Sequence, residues 1–520
     1  MPTKSKLIIF VAVMASLLEI IDTSIVNVAL PTMMGNLGVT LDEISMIITG
    51  YAIANAIVLP VSAWLSERVG RRKYYLGCIL AFTASSVACG IAPNLTTLTI
   101  MRVVQGLMGG ALLPTSQALI YEQFPKEKAG LAGAIFGMSV MIGPALGPVM
   151  GGYLTDNFGW RSIFNINLPL GILAFFVGTL CIFDREKSKK EIAAESKGFD
   201  SIGLGLLVLG IGFLQFVLER GEALDWFSSK MIIFGTIVFA TCIPAFVWWE
   251  LRVKNPIINV RLFKEAIVTC GVSLMACLGF FLYGALFMLP VFLGRTFHYT
   301  ATQTGIFFIP GSILTALMMP FIGKAMTSGR NPKFLILIGL IAIEVCMYMM
   351  TLFSPQSSKA EILMMLFVRG FALAFLFVPI NSSILSQFGG AALGQVSGLL
   401  NLFRQIGGSM GIAFVGTMLT KTSAQNYLDL STHVSLLNNT TKSIYYSTSQ
   451  GLGQKMTEQL GSGTGVEATL MMLYGKVQAQ VFMMSFIQLV FYMMIIFSIS
   501  FIPLYFLKMK VKPTGPIDAH

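Results

Sequence analysis

The sequence predicts an all-α integral membrane protein with fourteen transmembrane helices, arranged as two six-helix bundles plus two inserted helices. Three observations carry that reading. The 520 residues are 55% hydrophobic and only 11% charged, where soluble domains run at about 25% charged, so too few charges exist to cover a water-soluble surface. The mean hydropathy of +0.77 comes from long apolar stretches containing 51 Gly, a pattern of membrane helices and not of the alternating strands of a β-barrel. Finally, Lys and Arg gather in alternate gaps between the apolar stretches, which is a signature of topology.

A span needs about 20 apolar residues to cross roughly 30 Å of hydrocarbon. Such runs lie near 8–30, 44–66, 74–92, 98–120, 130–154 and 162–182. The first follows Lys4 and Lys6 like a signal peptide, but it carries Glu19 and Asp22, lacks a small-x-small cleavage site and precedes many more spans, so it reads as a retained helix. A charged linker from Asp184 to Asp200 leads to two runs near 201–218 and 231–250. After Arg252 to Glu265 come six more, near 266–293, 303–323, 334–353, 361–385, 396–419 and 480–507. The predicted units are therefore 1–183, an N-terminal six-helix bundle; 184–265, a linker with two inserted helices; 266–507, a C-terminal six-helix bundle; and a cytoplasmic tail at 508–520.

Orientation follows from the basic loops. Lys4, Lys6, the Arg68–Lys73 cluster, Lys126, Lys128, the 185–197 linker with Arg185, Lys187, Lys189, Lys190 and Lys197, the Arg252–Lys264 segment, Lys324, Arg330, Lys333 and Lys508–Lys512 all fall on one side. The positive-inside rule places that side, with both termini, in the cytoplasm. The opposite side holds a long polar loop at 420–479, with apolar patterns at Leu452, Met456 and Leu460 and again at Leu470, Met471 and Leu473 that predict short helices at the membrane surface. Internal repetition supports two related bundles: Gly130–Gly152 in the fifth span is similar to Gly394–Gly416 in the thirteenth, and Arg102 with Gly106 is matched by Arg369 and Gly370.

Several function classes fall away. The net charge of +11 sits in loop clusters that serve topology, so no nucleic-acid partner is expected. There is no GxxxxGK[ST] phosphate loop, and Gly407–Gly411 (GGSMG) matches GxSxG only inside a membrane helix, so no enzyme is expected. The three His (298, 433 and 520) are scattered, no metal or cofactor site can be argued, and all seven Cys lie in apolar runs, where free Cys acts as a small hydrophobe.

An ionisable residue inside a span costs several kcal/mol by insertion scales, so it normally faces a cavity or a partner. Glu19 and Asp22, three residues apart, share one face of the first span. Asp22 is placed to pick up and release a proton, with Glu19 either sharing that work or pairing with a neighbour. Arg102 enters the fourth span near its outer end, at a depth its side chain can share with Asp22, and it cannot lose its proton; its use would be to hold a carboxylate charged until substrate or a proton displaces it. Glu344, Arg369 and Arg404 are the remaining deep charges. They either pair among themselves or, like Arg404 with Gln405, contact a substrate. Gly143, Pro144, Gly147, Pro148, Gly151 and Gly152 recur at helical spacing, so a neighbouring helix can approach closely while the prolines weaken the backbone ladder.

Together these residues resemble the major facilitator superfamily, in particular its fourteen-span drug:proton antiporters of the EmrB/QacA type. Ile21–Pro31 (IDTSIVNVALP) is similar to that group's first-span signature, which implies a coupling role for Asp22 and brings in Asn27 and Pro31. Ala63–Lys73 (AWLSERVGRRK) resembles the superfamily's loop between spans two and three, with Ala63 where Gly is usual and Glu67 where Asp is usual. Arg102–Gly110 resembles the fourth-span motif tied to proton transfer, and Gly143–Gly152 the antiporter motif associated with exporters. Trp160–Pro169 (WRSIFNINLP) and Leu224–Ser228 (LDWFS) resemble the fourteen-span branch, while Gln488 stands about where many relatives have an acid.

The resemblance implies proton-coupled export of amphipathic or lipophilic drugs by alternating access, with the proton gradient as energy source and no cofactor. Glu67, Gly70, Arg71 and Arg72 would form a conformational latch. It also implies a bacterial inner (cytoplasmic) membrane location, with a periplasmic adaptor and outer-membrane channel as partners. The alternatives are an exporter of an endogenous metabolite, lipid or siderophore, and a non-transporting membrane receptor or scaffold.

Overall fold

The computed structural model describes residues 2–184, 200–434, 439–450 and 464–507. Among these it contains helices and no strand. The described residues include fourteen long helices: α1 (Thr3–Leu37), α2 (Met46–Val69), α3 (Arg71–Gly90), α4 (Leu95–Glu122), α5 (Ala129–Phe158), α6 (Asn167–Cys181), α7 (Ser201–Arg220), α8 (Lys230–Glu250), α9 (Ala266–Phe297), α10 (Ala301–Thr327), α11 (Pro332–Thr351), α12 (Lys359–Leu385), α13 (Ala391–His433) and α14 (Thr464–Ser498). Helices dominate because a backbone in hydrocarbon must satisfy its own polar groups. Their ends use ordinary caps: Asn94 accepts from Thr97 N at the start of α4, and Thr300 and Gln303 form a capping box for α10.

Twelve of the described helical segments are long and apolar enough to cross a membrane. The other two predicted spans are helices too, α3 of 20 residues and α13 of 43, but their composition is less apolar. The cause lies in what they carry: α3 opens on Arg71, Arg72 and Lys73 and buries Thr83, Ser85 and Ser86, while α13 holds Asn401, Arg404 and Gln405.

Packing repeats along the chain. In the first part α1 lies against α5 and α2 against α4; in the last part α9 lies against α13 and α10 against α12. Four helix pairs join the parts: α5 with α10 matches α2 with α13 in the repeat, and α5 with α12 matches α4 with α13. Helices α7 and α8 pair with each other, and α7 also touches both α2 and α13. It is tied to the first part by Arg220, whose Nη2 donates to Asp42 Oδ1 at 2.7 Å, and to the last by Gln215 and Ser409; in the turn after α7, Trp226 Nε1 donates to Thr417 Oγ1 at 2.8 Å.

The polar stretch after the thirteenth span departs from the expected loop with short surface helices. At 1.5 Å per residue, α13 with its 43 residues and α14 with its 35 reach roughly 64 and 52 Å, well beyond about 30 Å of hydrocarbon. The extension of α13 packs against α14: Asn426 Nδ2 donates to Ser485 Oγ at 2.9 Å and to Gln488 Oε1 at 3.1 Å, and Tyr427 meets Tyr474 edge to face. Continuous helices satisfy the backbone of a polar sequence as well as a loop does, and this seam of polar residues holds them side by side. A helix at Asn439–Thr448 lies between. The pattern at Leu452, Met456 and Leu460, the basic residues from Arg185 to Lys197 and the tail at 508–520 lie outside the described residues.

Candidate functional site: a caged carboxylate on the first helix

Asp22 is fully buried on α1 and is held by three donors from two other helices. Arg102 Nη1 of α4 donates to its Oδ2 at 2.5 Å, and Gln105 Nε2, one turn on, donates to Oδ1 at 2.8 Å. Asn167 Nδ2 of α6 donates to the same Oδ1 at 2.9 Å. Arg102 is itself 1% exposed. Its guanidinium also donates to Gln105 Oε1 and lies 4.2 Å from the centroid of the Tyr51 ring, so the charge is covered by an aromatic face as well as by a carboxylate. The sequence-predicted pair is thus present. Buried charges that remain paired and hydrogen-bonded can persist where an isolated one cannot.

Glu19, one turn earlier on α1, is 4% exposed and accepts from Asn55 Nδ2 of α2 at 2.9 Å through Oε1, while its Oε2 has no partner among the described residues. Arg404 donates weakly to Tyr283 Oη and Asn401 Oδ1, both at 3.3 Å.

The other deep charges do not pair among themselves as one expectation had it. Glu344 accepts from Ser498 Oγ at 3.0 Å, linking α11 to α14. Arg369 has no partner for its Nε among the described residues and sits beside the Phe308 ring. The separation has a simple cause: α11, α12 and α13 turn these residues toward different neighbours. Gln405 is half-buried, and Asn27 is exposed and stands apart from the Asp22 cage.

Helix α5 is wedged between α1 and α10. Gly143, Gly147 and Gly151, spaced four apart, all face α1: a Cβ on them would run into Ile20, Ser24 and Ile25 respectively. Gly152 instead faces Thr302 of α10, and Pro148 packs against Gly305 on the same helix. Pro144 lines a small crevice with Met141, Leu282, Phe308 and Arg369. The predicted close-approach face therefore lies against the helix that carries Glu19 and Asp22, and the opposite face of α5 touches the last part of the chain.

At the end of the bundle that the basic loops assign to the cytoplasm, Arg71 grips Glu122 of α4 with both Nη atoms, at 2.5 and 2.7 Å. The Arg72 backbone N–H donates to Asp184 Oδ1 at 2.8 Å, and its Nη2 to Thr179 O at 2.8 Å. Gly70, with φ 93°, turns the chain between α2 and α3 in a conformation that side chains resist. Glu67 lines a cavity of about 740 Å³ with Arg68, Arg71, Glu122, Lys254 and Gln395. Ala63 keeps the close approach expected of Gly there because its neighbour on α13 is Gly394, whose Cβ position lies 3.1 Å from the Ala63 Cβ.

Sequence reasoning missed Glu122, and it missed a buried polar seam nearby. Gln117 of α4 donates to Asn381 of α12 at 2.7 Å and accepts from Ser397 and Asn401 of α13 at 2.6 and 2.8 Å. The one available signal was the spacing of Ser397 and Asn401, four apart on one helical face.

An all-helical bundle of this apolarity, with its buried charges gathered between helices, defines a polytopic membrane protein. The chain matches the Major Facilitator Superfamily over residues 12–412, and it belongs to that superfamily. It is 36% identical over 452 residues to the multidrug export protein EmrB of Escherichia coli K12, covering 86% of each chain. The fatty acid resistance protein FarB of Neisseria gonorrhoeae is 33% identical over 422 residues, covering 81% of this chain and 82% of that one. Among solved structures, the human organic anion transporter MFSD10 aligns with a TM-score of 0.60 at 15% identity, over 80% of this chain and 94% of the other. A bacterial homologue of the human lysosomal transporter Spinster aligns with a TM-score of 0.55 at 17% identity, over 98% of both. These two likenesses concern the fold.

Proposed function

We propose that the chain is a proton-coupled antiporter that exports amphipathic or lipophilic compounds by alternating access between two helical halves. The observation that carries this reading is the Asp22–Arg102 pair, sealed from water on the helix that packs against the glycine face of α5. A proton arriving on Asp22 removes the charge that holds Arg102. The bonds between α1 and α4 then weaken, and α1 can slide along the glycine face while α5 moves with α10. The proton gradient is the energy source; no catalytic step or cofactor enters the cycle. Relatives whose names denote multidrug export and fatty acid resistance support an apolar or amphipathic substrate over a polar metabolite. Purified protein in proteoliposomes is expected to move a fluorescent lipophilic dye against an imposed proton gradient, with protons flowing the other way. Dye movement that continues unchanged once a protonophore collapses the gradient would overturn the reading.

In this cycle both termini lie in the cytoplasm of a bacterium, fourteen helices cross its inner membrane, and Glu67, Gly70, Arg71 and Arg72 form the latch. The partner of Arg71 in the latch is Glu122. Each side chain keeps about a quarter of its surface exposed, so the pair contributes at most about 1 kcal/mol to stability, yet it ties α3 to α4 at the end where the halves meet. Arg71→Ala is therefore expected to slow turnover several-fold while leaving substrate affinity unchanged, and Glu122→Ala to reproduce it, because a latch biases the equilibrium between states and not the pocket. Transport rates compared with dye binding in detergent check this, and loss of binding alone would remove the latch. The same reading includes a periplasmic adaptor and an outer-membrane channel. The helical extensions of α13 and α14 support it, since both helices are longer than the hydrocarbon requires and expose Leu428, Leu470 and Met471.

A further inference from the structure

Among the three residues that donate to the Asp22 carboxylate, one buried side-chain atom is unsatisfied, and its chemistry is the opposite of its neighbours'. Asn167 is fully buried. Its Nδ2 donates to Asp22 Oδ1 and to Ser86 Oγ of α3, both at 2.9 Å, and these two acceptors orient the amide. Its carbonyl Oδ1 has no partner among the described residues. Leaving a buried carbonyl unpaired is unfavourable, and each such group calls for an explanation.

A charged Asp22 needs donors and has three. A protonated Asp22 needs an acceptor for its new O–H. Arg102 has none to give. The Gln105 carbonyl is already occupied by Arg102 Nη1 at 2.8 Å and faces the Cys89 thiol. Asn167 Oδ1 alone among the three residues touching the carboxylate is vacant.

We infer that Asn167 is a positioning residue that reads the protonation state of Asp22 by turning its amide. When a proton from the external medium forms an O–H bond on Asp22 Oδ1, the N–H···O bond from Asn167 to that oxygen breaks. The amide rotates, and the new O–H donates to Asn167 Oδ1. The Nδ2–Ser86 bond is given up in the same movement, so protonation on α1 is passed to the contact between α6 and α3. Ser86 Oγ donates to Phe164 O at 2.9 Å, which extends the connection to the short helical turn Ser162–Asn165 ahead of α6. The titratable and charged groups around Asp22 are Glu19 on its own helix, Tyr51 on α2, Cys89 on α3 and Arg102 on α4; α6 contributes the neutral amide. The inference rests on the proposed role of Asp22 as the proton-carrying group.

The test is infrared difference spectroscopy on the purified full-length protein in lipid, following the carbonyl band of protonated Asp22 with pH and assigning it by its absence in Asp22→Asn. In Asn167→Ala the band is expected at the higher frequency of a carboxyl whose O–H lacks an acceptor; an unchanged frequency would overturn the inference. Ser86→Ala leaves the contact between Asn167 and Asp22 available in either protonation state and removes a bond present only in the unturned state. Its titration midpoint is expected to move alkaline by about half to one pH unit, the worth of one neutral hydrogen bond, with the band frequency unchanged. A structural role for Asn167 would leave that midpoint where it is, and such a result would also overturn the inference. Absence of any titrating Asp22 band in the unmodified protein would instead overturn the coupling role of Asp22 itself.

Discussion

Asp22→Asn is expected to abolish gradient-driven export in everted vesicles. The amide keeps the shape of the side chain and can still accept from Gln105 or Asn167, but it cannot take up a proton and cannot neutralise Arg102. The substitution therefore removes coupling and also leaves a guanidinium buried to 1% exposure without its counter-charge. Breaking a buried pair on one side costs about 3–5 kcal/mol, so the single variant is expected to melt at a lower temperature as well. The double variant Asp22→Asn with Arg102→Gln separates the two effects, because it removes both charges and restores a neutral cage. Its melting temperature is expected to return most of the way while export stays absent. Gradient-driven export by either folded variant would remove Asp22 from the mechanism.

The pair itself was legible because charge is rare within the spans. Asp22 and Arg102 each stand out against apolar neighbours, and at matching depth on two helices they had few other partners to find. Gln105 and Asn167 were not legible by the same reasoning. A neutral amide is cheaper to bury than an ion, and nothing in its spacing distinguishes one that meets a carboxylate from one that caps a turn. Arg71 and Glu122 illustrate a second limit: both are loop-flanking charges of a kind that usually faces water, and only the fold brings them together across 51 positions. The 420–479 stretch illustrates a third. Its Ser, Thr, Asn and Gln read as a loop because composition reports the solvent, and water accepts a helix as readily as a coil once a partner such as Asn426 with Ser485 fixes it. Arg369 and Arg404 were found as deep charges, but their neighbours depend on helix rotation, which apolar periodicity barely constrains when a helix is apolar on every side.

The glycine face of α5 was legible from its spacing of four, and it gives the second large effect. A Cβ on Gly147 would overlap the Ser24 hydroxyl and lie 2.6 Å from the Ser24 Cβ, with the Ile25 amide nitrogen next at 3.1 Å. Gly147→Ala is therefore expected to force α1 away from α5, at about 1–3 kcal/mol for an overpacked contact, and to slow export at least several-fold because the strain falls on the helix carrying the carboxylate. The obstruction is a side chain and not the backbone, so it can be removed from the other side. Ser24→Gly combined with Gly147→Ala removes both clashes with the Ser24 side chain and leaves the Ile25 nitrogen at 3.1 Å, which a shift of a few tenths of an ångström relieves, and most of the melting temperature and the export rate should return. Gly77→Ala on α3, whose Cβ would meet nothing within 4 Å, is the silent control. Recovery of stability in the double variant without recovery of export would mean that Ser24 serves transport directly, through its hydroxyl contact to Gly143 O at 3.3 Å; failure to recover either would mean that the two helices meet through their backbones at Ile25.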